Sequence, residues 1–152
     1  MRREPSLLLD LYVASSLAGE LVKQALQGTD VPPEDLAFYA VIGSEGPLTP
    51  SALAARIGMP LSTTLFRTRR MLARGHLERA SNPTDGRSHL VRLSSAGRKA
   101  WDETAPSFHP LARRIEALLD SQPETVRTAL SDLAQAIEHA LAETRSPTAT
   151  SG

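Results

Sequence analysis

Residues 49–75 read TPSALAARIGMPLSTTLFRTRRMLARG, and the fold turns on how that stretch divides. Thr49 is placed to cap a helix that Pro50 opens, because a threonine oxygen accepts from the unpaired N–H groups of a first turn and proline's fixed φ suits its first position. Gly58 stops that helix, and a second one from about Leu61 to Arg74 stops at Gly75. Two short helices joined by a turn of a few residues, the second carrying Arg67, Arg69, Arg70 and Arg74, predict a helix-turn-helix. On the second helix Leu61, Leu65, Thr68 and Leu72 step by four, three and four, with Thr64 and Met71 beside them, so this face should pack on a core. The opposite face then presents Ser62, Thr63, Phe66, Arg67, Arg69, Arg70 and Arg74. Serine and threonine near a helix start can reach phosphates or base edges of double-stranded DNA, and arginine can donate two hydrogen bonds to guanine. A basic but merely solvated face would not favour an outward Phe66.

Beyond Gly75 the helical pattern ends. Residues 76–81 and 88–93 are strand-like, Val91 and Leu93 alternating with Arg92, and Asn82-Pro83-Thr84-Asp85-Gly86-Arg87 between them reads as a hairpin turn. Helix-turn-helix plus hairpin makes a winged helix. Arg87, at or beside the hairpin tip, is placed to enter a minor groove, with Asp85 expected to hold its guanidinium. Ser94 can cap a further helix over residues 96–119, which Pro106 and Pro110 should kink.

The run Asp85-Gly86-Arg87-Ser88-His89-Leu90-Val91-Arg92-Leu93-Ser94-Ser95-Ala96-Gly97 resembles the wing signature of the MarR family, in which Asp-x-Arg is followed by an apolar strand, Leu-Thr or Leu-Ser, and a helix-opening glycine. Leu48-Thr49-Pro50-Ser51-Ala52-Leu53-Ala54 and Arg74-Gly75-His76-Leu77-Glu78-Arg79 resemble the family's first motif helix and the exit from its recognition helix. The resemblance spans about residues 34–100. It implies a homodimeric transcriptional regulator, a repressor on a pseudo-palindromic operator that a small aromatic or lipophilic effector releases. The recognition helix departs from the family pattern: Met71 stands for the usual leucine, Arg69 for the usual acid and Leu65-Phe66 for the usual Thr-Arg pair, so only the helix and its outward face carry over. The implied effector cavity would draw on Tyr12, Phe38, Tyr39, Trp101 and Phe108, which are equally suited to a simple core.

Outside this domain, residues 7–25 repeat Leu7, Leu11, Ala14, Ala18, Leu21 and Ala25 at helical spacing before Gly28, and residues 124–143 carry Val126, Leu130, Leu133, Ile137 and Leu141 behind Pro123. Residues 34–44, after Val31-Pro32-Pro33, read as a short apolar helix. The expected organisation is therefore mostly α with a small β-wing: a helical dimerisation region over residues 1–30 and 101–145, a winged domain over 34–100, and a disordered tail over 146–152.

Across 152 residues the formal net charge is zero, but residues 48–100 hold ten basic and two acidic side chains, leaving seven basic and fifteen acidic elsewhere. A polyanion partner would meet the middle of the chain. The absence of cysteine excludes disulfides, thiolate metal sites and thiol catalysis. His76, His89, His109 and His139 lack metal-ligand spacing, and neither a nucleophile elbow nor a phosphate loop occurs, so no catalytic or metal residue, cofactor or enzymatic activity is expected. Asp10, Glu20 and Lys23 break the apolar N-terminal stretch, which argues against an export signal or a membrane span and for the cytoplasm. A helical dimer that has kept this fold while binding a protein partner is the competing reading.

Overall fold

The computed structural model describes residues 6–145; the tail expected at 146–152 lies outside them. Chain contacts divide the molecule into two compact units, Met1–Leu111 and Ala112–Gly152.

The first unit opens with α1 (Leu7–Ala25), capped by the Ser6 side chain, which accepts from the Leu9 N–H. A single 3-10 turn, Pro33–Asp35, leads into α2 (Leu36–Glu45), so the apolar helix starts two residues later than its sequence suggests. Thr49 caps α3 (Pro50–Ile57), accepting from the Ala52 N–H at 3.2 Å, and Gly58 ends it in the left-handed region. α4 (Leu61–Ala73) closes on Gly75, whose φ of +75° lets the chain reverse. There the Gly75 N–H donates to the Leu72 carbonyl and the His76 N–H to the Met71 carbonyl, satisfying the carbonyls that a helix end leaves orphaned.

β1 (Leu77–Ser81) and β2 (His89–Leu93) form the antiparallel wing, with Leu77 opposite Leu93 and Ser81 opposite His89. Leu48, just before α3, adds an isolated antiparallel rung to β2 outside that ladder, exchanging hydrogen bonds with Val91 at 2.8 and 3.1 Å. α5 (Ser95–Ala117) contains Pro106 and Pro110 within one helical span. Its start is locked to the exit of α4. Ser94 accepts from the Gly97 N–H, its own N–H donates to the His76 carbonyl, and its hydroxyl donates to the Gly75 carbonyl. A side chain on Gly97 would place Cβ 2.0 Å from the His76 carbonyl oxygen, which is why glycine stands there.

The core of this unit gathers Leu26, Val31, Phe38, Tyr39, Ile42, Leu53, Met71, Leu77, Val91, Leu93 and Ala100, so every element of the winged domain contributes. Leu7, Tyr12 and Leu17 of α1 are 73, 71 and 68% exposed. In the second unit α6 (Pro123–Arg145) has no buried residue, Leu130 and Leu141 stay exposed, and Leu133 and Ile137 are half-buried. Among the described residues no helix is long and apolar enough to cross a membrane, and no cluster of potential metal ligands forms.

Candidate nucleic-acid interface

The buried stripe of α4 is Thr64, Thr68 and Met71, while Leu65 and Leu72 lie on its flank and Leu61 is 45% exposed. The helix is thus rotated from the phase that its leucines predict. Thr64 can go inward because its hydroxyl donates to the Pro60 carbonyl at 3.1 Å. Thr68 has no such partner, and its buried hydroxyl is unpaired.

That rotation redistributes the arginines. Arg67 and Arg74, expected outward, sit on the opposite flank and reach Asp35, which is 1% exposed. Arg67 Nη1 donates to Asp35 Oδ1 at 3.2 Å and to the Glu34 carbonyl at 3.0 Å, and Arg74 Nη2 donates to Asp35 Oδ2 at 2.9 Å. The same Arg74 nitrogen lies 3.4 Å from the Tyr39 hydroxyl, which meets His76 Nδ1 at 2.6 Å. Burial pushes the Tyr39 phenol above its ordinary pKa, the Arg74 charge working against it, so the hydroxyl stays protonated within this network. A buried carboxylate between two guanidiniums therefore staples the flank of α4 to the turn before α2.

The outward face holds Ser62, Phe66, Arg69 and Arg70, all exposed, with Thr63 half-buried at its edge. The Arg70 guanidinium lies 5.9 Å from the centre of the Phe66 ring. In the wing, Asp85 accepts from the Arg87 backbone N–H at 3.0 Å. It holds the turn, not the guanidinium expected from the sequence, and Arg87 is left exposed. Asn82 completes the turn, accepting from Thr84 and donating to Ser88 at 2.8 Å.

Several positive charges of the middle segment are used within the fold: Arg56 pairs with Glu45, Arg92 with Glu78 across the strands, Lys99 with Glu103, and Arg67 and Arg74 with Asp35. Arg98 donates to the Gly43 carbonyl at 3.4 Å. Within residues 48–100, Arg69, Arg70, Arg79 and Arg87 are the exposed cations with neither a carboxylate nor a carbonyl partner, two on the outer face of α4 and two on the wing. Arg79 carries a part that its sequence position, inside a strand, did not announce.

Of the five aromatics expected to line an effector cavity, Trp101 packs against the core that holds Phe38 and Tyr39. Phe38 and Tyr39 have no exposure and belong to the core, Tyr12 is 71% exposed on α1, and Trp101 and Phe108 are half-buried on α5, both edge-on to His109.

A two-stranded wing following a helix-turn-helix, with helices before and after, has close counterparts among solved structures. A probable transcriptional regulator from Pseudomonas aeruginosa is 28% identical, with a TM-score of 0.71 over 87% of this chain and 99% of that one. The M. tuberculosis transcriptional regulator MosR, solved in complex with DNA, superposes with a TM-score of 0.77 at 24% identity over 90 and 98% of the two chains. Apo wild-type MarR from E. coli gives 0.66 at 19% identity over 87 and 98%. The chain has the MarR-family winged helix-turn-helix fold. No family model and no curated protein sequence matches it. Within that fold α4 is the second helix of the helix-turn-helix and β1 and β2 form the wing.

Proposed function

We propose that this chain is a sequence-specific transcriptional regulator that binds double-stranded DNA as a homodimer, α4 in the major groove and the wing in the adjacent minor groove. The observation that carries the reading is the placement of Arg69 and Arg70 on the outer face of α4 and Arg79 and Arg87 on the wing, without carboxylate partners in a chain of zero net charge. Two-fold pairing through the apolar faces of α1 and α6 supports a pseudo-palindromic operator, since half-sites then mirror the dimer axis. The regulator acts as a cytoplasmic repressor, and a small aromatic or lipophilic effector releases it. Trp101, the chain's one tryptophan, reports on that release: effector binding quenches its fluorescence and weakens DNA binding together.

Selection of duplexes from a random-sequence library with the purified protein tests the reading. Enriched duplexes share an inverted repeat, and affinity falls steeply with salt as phosphate contacts displace counterions. The exposed Leu7, Tyr12 and Leu17 of α1 also suit a protein-binding module. That alternative gains if no sequence is enriched and binding to DNA is absent at low salt.

A further inference from the structure

We propose that Phe66 reads a thymine: its ring meets the 5-methyl group of one thymine in each half-site, one or two base pairs from the pair met by Arg70. The inference rests on the DNA-binding function proposed for the chain and adds a base to it.

Burial alone would put a phenylalanine inside and a threonine outside. α4 does the reverse, with Thr64 and Thr68 buried and Phe66 57% exposed. The Arg70 guanidinium one turn further on lies 5.9 Å from the ring centre, within reach of a cation–π contact that sets the ring beside a positive charge. Around it the outer face offers Ser62, Thr63, Arg69 and Arg70, so Phe66 is a single apolar knob in a polar, basic field. An apolar protein pocket would want a continuous apolar patch. The floor of a major groove instead offers polar edges, flanking phosphates and one kind of apolar group, the thymine methyl. Residues four apart on a helix are about 6 Å apart along its axis. With base pairs about 3.4 Å apart, Phe66 and Arg70 meet pairs one or two steps from each other.

The test uses the full chain and an inverted-repeat duplex recovered by selection from the random library, with each thymine replaced in turn by deoxyuridine. That change deletes the methyl and keeps every hydrogen-bonding group. One thymine per half-site is expected to weaken binding about fourfold when replaced, the worth of one buried methyl-sized group. The Phe66→Ala protein, checked for an unchanged thermal melt, binds the thymine duplex more weakly and no longer distinguishes deoxyuridine there. Arg70→Ala relaxes base preference one or two pairs away. If every thymine tolerates replacement, if the sensitivity persists in Phe66→Ala, or if the Arg70 effect falls further off, the assignment is overturned while DNA binding stands. If no duplex is enriched, the DNA-binding reading falls and takes the assignment with it.

Discussion

Asp35 decides how much positive charge α4 can show. Its carboxylate is almost wholly buried and divides its oxygens between Arg67 and Arg74. Removing one partner of a buried pair costs about 3 to 5 kcal/mol when the remaining charge stays buried. Here the Arg67 and Arg74 side chains keep 23 and 33% exposure and can rehydrate, so the loss is smaller. Asp35→Asn is expected to lower stability by about 2 kcal/mol and to strengthen binding to random-sequence DNA, since two arginines are released. Urea unfolding and a salt titration check both; a lower stability without any gain on random DNA would mean the arginines stay folded against the domain. Nothing local in the sequence marked this residue. Its partners stand 32 and 39 positions away, and an aspartate before an apolar helix reads as an ordinary first-turn acid.

Helix and strand limits were legible because their causes are local. Thr49, Gly58, Gly75 and Ser94 each act within a few residues, and the alternation of Val91 and Leu93 needs only its own strand. The rotation of α4 was not legible, because leucine spacing ranks Leu61 above Thr64, whereas the backbone carbonyl of Pro60 satisfies Thr64 and makes it buriable. The Leu48 rung also escaped, as an isolated bridge has no period to detect. At this scale the two elements proposed to meet DNA should fail differently. Arg70→Ala is expected to cost about 1 to 3 kcal/mol on the operator and less on random sequence. Arg87→Ala should weaken all sequences alike and flatten the salt slope by about one. Salt titrations on both duplex types separate them, and an Arg87→Ala protein with unchanged affinities would remove the wing from the interface. Gly97→Ala tests the lock between α4 and α5. Its Cβ meets backbone rather than a movable side chain, so a loss of about 1 to 3 kcal/mol is expected, read as a lower melting temperature; an unchanged melt would show that the two helices can slide apart without cost.

For the whole molecule, net charge misleads where distribution informs, and distribution itself needs correcting for the pairs that the fold consumes. Oligomeric state depends on the faces left uncovered: α6 runs through 23 residues without burying one, although its apolar positions repeat at helical spacing. A helix of this kind draws its stability from packing against something. If that something is a second copy, sedimentation finds a dimer at micromolar concentration, and Leu133→Asp with Ile137→Asp converts it to monomer; a dimer surviving the double change would place the interface elsewhere. The rung between Leu48 and Val91 has its own consequence. It bolts the approach to α3 onto β2, so the gap between the helix-turn-helix and the hairpin tip is set like the jaws of a caliper. A caliper does not stretch. Because the wing meets all sequences alike, one base pair inserted outside the stretch under α4 should leave affinity and salt slope unchanged; a shift in either would mean that the wing reads bases of its own.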